Sequence, residues 1–178
     1  MSYSACQINS SIELGCVGSA GGVKTIFLLN GAITGTSTTA NGAISGITGT
    51  GDLYEFQVQK QTSSLTETFN ISLENGTTYY EQITNAIFNK IDAAKRDQLR
   101  LLSRNRQIVL FVEDNNSQVY YLGNDFSGGF VSAGTSETGT AFGDRNGYNI
   151  SISTFSQDPM LLLDGSLATV VSGITINS

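Results

Sequence analysis

Histidine, the side chain that titrates near neutrality and the usual zinc ligand, is absent from the 178-residue chain. Histidine-dependent triads and HExxH metal sites are therefore excluded. The two thiols, Cys6 and Cys16, are too few for a four-cysteine metal site and are not spaced as a CxxC redox pair, although nothing forbids a disulfide between them. The run Gly18-Ser-Ala-Gly-Gly-Val-Lys-Thr25 approaches a phosphate-binding loop in composition. Its spacing fails, because Val23 separates Gly22 from Lys24. Its order fails too, because a phosphate loop follows a strand and opens a helix, whereas this run leads into a strand.

Asp114, Asn116, Gln118 and Asp125 stand at positions 1, 3, 5 and 12 of a calcium-loop spacing. Position 6 needs Gly for the sharp turn, and Val119 of an apolar run occupies it, so a hairpin turn is the better account. Two carboxylates suffice for glycoside hydrolysis, and Glu113, Asp114, Asp125, Glu137 and Asp144 fall in or beside loops. Nothing selects a pair among them, and no Trp is present to stack on a sugar. They read as solvated loop acids. The Asn-x-Ser/Thr triplets would accept glycans only in a eukaryotic secretory protein, and MSYSACQINSS has neither a basic n-region nor an apolar h-region. No apolar run approaches the roughly 18 residues of a membrane span. The chain thus offers no catalytic, cofactor-binding or metal-ligating set, and is read as a non-enzyme without cofactors and without membrane contact.

Only 13% of residues are charged, against about 25% in ordinary soluble domains, so much of the surface must be Ser, Thr, Asn, Gln and Gly or be covered by partners. The 39% of hydrophobic residues, with nine Phe and seven Tyr, is enough for a core. Charge is segregated along the chain. Residues 1–89 carry two bases against six acids, residues 90–106 six against two, and residues 107–178 one against seven, giving balances of −4, +4 and −6. A chain acidic over most of its length binds nucleic acid poorly, because that affinity comes from neutralising phosphates spaced about 1.7 Å apart along the duplex. It does not prevent DNA from passing by.

These residues must be positioned by strands and one helix. One domain is expected over 1–178, with residues 1–22 an unpatterned arm and the Gly/Thr-rich stretch 31–51 a long loop or a weakly specified hairpin. Lys24–Asn30 is a short apolar strand. From Asp52 the period becomes two, with Tyr54, Phe56 and Val58 on the buried face and Glu55, Gln57 and Gln59 opposite. Leu65, Phe69, Ile71 and Leu73 share a parity, and Asn75-Gly76 favours a type I′ turn into a strand from Thr77. Asp92 can N-cap a helix over 93–105, with Arg96, Arg100 and Arg104 on one face, Lys95 beside them, and Asp92 paired to Arg96. Gln107–Asp114 is a buried strand with a hairpin return at Val119–Leu122. Residues 123–147 are turn-rich, Tyr148, Ile150 and Ile152 alternate in a further strand, and the tail supplies one or two short ones. The fold class is mainly β, an antiparallel β-sandwich or barrel with a single α-helix. The basic stripe Arg96, Arg100, Arg104 and Lys95 is the candidate subunit interface, its partner being the acidic surface of an identical neighbour.

The stretch Gly134-Thr-Ser-Glu-Thr-Gly-Thr-Ala-Phe-Gly-Asp-Arg-Asn-Gly-Tyr148, followed by the alternating NISIS, resembles a segment of virion proteins from tailed bacteriophages of Bacteroidetes. The upstream order, a strand into one helix and then the hairpin QIVLFVEDNNSQVYYLG, is similar to the major tail tube protein family. The resemblance spans roughly residues 52–155 in element order and is close over 107–155. It implies a small β-sandwich or barrel protomer whose inner sheet joins those of five copies in a ring. Rings would stack into a conduit for the genome, DNA would pass through the lumen without specific binding, and other phage tail proteins would be partners. It also implies a place in the virion tail, after synthesis in the host bacterial cytoplasm. Alternative roles are a tail terminator, adaptor or baseplate ring, or a β-sandwich glycan-binding module.

Overall fold

The computed structural model describes residues 11–13, 18–39, 41–124 and 128–177. Cys6, Cys16 and Asp125 lie outside the described residues, as does most of the segment read as an arm. In chain order the elements are β1 (Val23–Thr38), β2 (Ile44–Gln57), β3 (Ser64–Ser72), β4 (Thr77–Asn89), α1 (Ala93–Arg104), β5 (Val109–Asp114), β6 (Val119–Leu122), β7 (Phe130–Glu137), β8 (Gly147–Ser156), β9 (Leu161–Leu162), α2 (Leu167–Val170), β10 (Val171–Ser172) and β11 (Thr175–Asn177). They form two sheets. The first has the order β10-β2-β1-β5-β6-β9, with β11 also on β2, and the second is antiparallel throughout in the order β3-β4-β8-β7.

The first sheet curls until its ends meet. The Leu163 amide donates to the Val119 carbonyl at 2.9 Å and the Asp164 amide to the Ile44 carbonyl at 2.8 Å, so the segment after β9 bridges β6 to the far end of β2. The result is a small barrel filled by Leu29, Ile44, Ile47, Leu53, Phe111, Val119 and Tyr121, with Leu163 and, from α2, Leu167 and Val170 completing the interior. A second cluster lies between the outside of the barrel wall, at Ile26, Leu28, Leu110, Val112 and Leu122, and the inner face of the second sheet, at Ala86, Tyr148, Ile150 and Ile152. Strand β5 is buried on both faces by these two layers, with Leu110, Phe111 and Val112 all fully buried. That is why its sequence is a continuous apolar run instead of an alternation. Each such side chain contributes about 1.5–3 kcal/mol by leaving water.

Helix α1 starts where expected, because the Asp92 carboxylate accepts from the Lys95 amide at 2.8 Å. It ends at Asn105, whose backbone is extended and whose amide closes on the Leu101 and Leu102 carbonyls. None of its residues is fully buried; Leu99 and Leu102 lie against the margin of the second cluster.

Several sequence expectations are corrected. Of the two readings for 31–51, a long loop or a weakly specified hairpin, the hairpin is the one formed, paired from Gly31↔Gly51 to Thr38↔Ile44 with register shifts at Ile33/Gly35 and Ser37/Thr38. Its glycines permit close backbone approach: a Cβ at Gly31 would lie 1.9 Å from the Thr50 carbonyl oxygen, and Gly51 has φ +106°. Pairing of β10 and β11 along β2 holds the strand that its small side chains leave weakly specified. On β2 the most deeply buried side chain is Leu53, facing the barrel interior, while Tyr54 is 43% exposed. Between Ser72 and Thr77 runs a four-residue loop in which Gly76 alone has positive φ, so the Asn75-Gly76 pair does not form a type I′ turn. The turn-rich segment 123–147 contains β7, which pairs with β8 around a bulge between Val131 and Ala133. The tail forms three short strands and the one-turn α2, which adds to the single helix expected.

Gly31→Ala should therefore lose about 1–3 kcal/mol, the usual range for overpacking. Gly35→Ala, where a Cβ meets nothing within 4 Å, should be near neutral. Thermal unfolding of the two variants beside wild type checks the contrast, at roughly 2–4 °C per kcal/mol for a chain of this size.

Candidate functional site

Alternation along the second sheet divides its side chains between two faces. Leu65, Thr84, Ala86, Ile150 and Ile152 face inward, and at one end Glu67, Gln82 and Thr154 form a polar network. The Thr154 hydroxyl donates to the Gln82 amide oxygen at 2.9 Å, the Gln82 amide nitrogen donates to Glu67 at 3.0 Å, and the Met160 backbone amide donates to the same Glu67 oxygen at 2.7 Å. This network ties the segment before β9 to the second sheet, and nothing in the sequence pattern marked it.

The opposite face is largely polar. Ser64, Thr66, Thr68 and Asn70 of β3 face Asn85, Ile83, Glu81 and Tyr79 of β4; Asn85, Ile83 and Glu81 face Ser151, Ser153 and Phe155 of β8, and Asn149, Ser151 and Ser153 lie beside Thr135, Ala133 and Phe130 of β7. The side chains bond to one another across the strands. The Ser151 hydroxyl donates to the Asn85 oxygen at 2.6 Å, the Asn85 amide nitrogen to the Ser64 hydroxyl at 3.4 Å, and the Ser153 hydroxyl to the Ser132 hydroxyl at 2.8 Å. Half-buried Ile83 and Ile87 interrupt it, and Tyr79, Phe155 and Phe130 form an aromatic row at one end with centroids 6.0 and 6.2 Å apart. The four strands carry three glutamates, Glu67, Glu81 and Glu137, and no lysine or arginine.

Strands β3 and β7 are the edges of this sheet, and among the described residues no strand lies beyond either. Both are largely solvent-facing. Among the described residues, β7 is approached by the bridge between Ile108 and Gly129 just before it and by helix α1, whose Leu99 and Leu102 share the margin of the second cluster with Val131.

The basic stripe is divided in its surroundings. Arg96, Arg100 and Arg104 are exposed on α1. Lys95 instead holds the β4–α1 corner, its ammonium donating to the Asn89 and Lys90 carbonyls at 2.7 and 3.3 Å and pairing with Asp92 at 3.4 Å. The expected Asp92–Arg96 pair is replaced by this contact, because the capping geometry turns the Asp92 carboxylate toward Lys95. Arg96 and Arg100 both approach Asp97, at 3.3 and 3.8 Å. The Lys95 amide that it caps, aided by the Lys95 ammonium, holds the Asp92 carboxyl below its ordinary value.

The acids with calcium-loop spacing serve the turn between β5 and β6. Asp114 accepts from the Asn116 and Gln118 amides at 2.8 and 2.9 Å and from the Asn116 side chain at 3.0 Å. Among the described residues no group of three or more acids could hold a metal. Glu113 pairs with Lys24 at 2.6 Å and Glu137 with Arg145 at 2.9 Å. Asp144 accepts from the Thr140 and Ala141 amides at 2.8 and 2.7 Å, which closes the loop after β7. The loop acids thus organise their own turns. Among the described residues no helix is long and apolar enough to cross a membrane. Comparison with protein-family models, with curated proteins and with solved structures returns no match.

The amides of Ala141 and then Thr140 lower the pKa of Asp144 below the ordinary 3.8. A depressed carboxyl contributes above its unfolded value and ceases to contribute as pH falls through the folded one. The Thr140 and Ala141 amide resonances should move together in an NMR titration with a midpoint below 3.8. A midpoint at or above that value would mean the two hydrogen bonds are not formed in solution.

Proposed function

We propose that the chain is a virion structural protein, a tail tube protomer that assembles with its own copies into stacked hexameric rings forming the conduit for genome ejection. The observation that carries this reading is the open-edged second sheet. Its strands alternate in direction across β3-β4-β8-β7, so β7 of one copy laid beside β3 of the next continues the alternation. The edges would satisfy each other's amides and carbonyls, and closure of a ring removes every edge at once. A barrel of about 16–18 strands already encloses an aqueous channel, and six four-stranded contributions exceed that.

The polar face suits the lining of such a channel. It has no base to hold a phosphate, and many of its hydroxyls and amides are already engaged with each other, so DNA would meet a surface that neither neutralises nor grips it. The likeness of residues 107–155 to phage tail proteins supports the same reading. Virion location and partnership with other tail proteins follow from it.

Two outcomes are expected. Hydrogen exchange on dilute and concentrated protein should show β3 and β7 amides gaining protection with concentration while β4 and β8 stay unchanged, and electron microscopy should show annular or tubular particles. A strictly monomeric species at every concentration would refute the reading, and particles limited to one ring would point to a terminator or adaptor. Reversal of Arg96, Arg100 and Arg104 to Glu should weaken assembly, measured by sedimentation, while the melting temperature shifts little, because exposed charges are each worth under about 1 kcal/mol to a monomer.

A further inference from the structure

Two apolar features of this chain have no covering partner among the described residues. The first is the outer end of the β3–β4 hairpin, which projects past β8, since β8 pairs with β4 only from Tyr80 onward. There Phe69, Ile71 and Leu73 are 62, 66 and 95% exposed, on the parity that faces the core further along the strand. Phe69 packs edge-on against Tyr80 with centroids 4.9 Å apart, which stiffens the tip. The second is a groove of about 700 Å³ lined chiefly by Tyr54, Phe56, Phe88, Ala94, Leu99 and Leu101. It is the open end of the layer between the two sheets, with α1 as one wall, and Leu101 on its lip is 57% exposed.

We infer that the tip of one copy inserts into the groove of a second copy. This rests on the tube reading and deepens it by naming the contact through which one ring seats on the next. Tip and groove lie at opposite ends of β4, because the tip precedes Thr77 and the groove includes Phe88 near the strand's other end. Thirteen residues at about 3.3 Å each separate them by about 40 Å. A contact between different patches at opposite ends of one molecule is heterologous, and repetition carries copies forward along the strand direction. Both patches belong to the same layer, so insertion continues the inner face of one second sheet into the space under α1 of the next. Charge favours the pairing: the tip loop carries Glu74 and no base, while α1 beside the groove carries Lys95, Arg96, Arg100 and Arg104 against Asp97, with Glu55 the one acid in the groove lining.

The test uses full-length chains with Cys6 and Cys16 changed to Ser. One variant carries Asn75→Cys at the tip and the other Gln98→Cys in the groove, and they are treated singly and mixed with a short bismaleimide. A crosslinked dimer in the mixture, absent from either variant alone, is expected, and because each chain carries a single cysteine no bridge can form within one chain. Adding Ile71→Glu to the tip variant should abolish the dimer with the circular dichroism spectrum unchanged. Stacked rings without the mixed crosslink overturn this contact and leave the tube reading intact. Self-crosslinking of the tip variant also overturns it, as does a groove cysteine shielded from reagent with no tip attached. The mixed crosslink without rings upholds the contact and removes the tube.

Discussion

The backbone groups along a strand edge must be met by another strand or by water, and the two sheets of this molecule differ in which they get. In the first sheet the chain supplies its own: β10 and β11 cover β2, β9 covers β6, and the Leu163 and Asp164 amides join the two ends. In the second sheet β3 and β7 are left open. An exposed pair of edges is a hazard for a monomer and a joint for an assembly. The small barrel is rigid because its interior and its outer wall are both packed, and it holds the second sheet flat against one side so that both edges and the polar face remain outward.

The parts of this arrangement that depend on local chemistry are visible in the sequence. Asp92 caps α1 as its carboxylate and position require, the β5–β6 hairpin closes on Asp114, and Tyr148, Ile150 and Ile152 alternate as a strand with one buried face. What escapes is decided by distant residues. Nothing within 31–51 distinguishes a loop from a hairpin, because small side chains carry little preference and the outer side of the paired strand is covered only by residues 171–177. The strand β7 has a weak alternation of its own and is drawn out by β8. Leu53 looks like a minor residue on the polar parity of β2 until the barrel closes over it. Of the candidate interface, Arg96, Arg100 and Arg104 are exposed as their spacing indicates, whereas Lys95 belongs to the corner that holds the helix, a distinction only the Asn89 and Lys90 carbonyls reveal.

Charge and polarity are sorted by surface as well as by sequence. The bases collect on α1, and the four strands of the second sheet have none. Of the acids on or beside that sheet, Asp144 is held by its loop amides, Glu137 by Arg145 and Glu67 by Gln82 and Met160, while Glu81 stands on the polar face of β4. Hydroxyl and amide groups that bond across strands give this face a polar character without a base to neutralise a phosphate.

Closure of the barrel carries a consequence for biosynthesis. The partner that Thr48 meets at Ser172 is made 124 residues later, which at ribosomal speeds of 5–20 residues per second is a wait of roughly 6–25 s. Throughout that interval Ile44, Ile47 and Leu53 lack part of their cover on a nascent chain. Synthesis must therefore pass the β10 and β11 codons before the first sheet can settle.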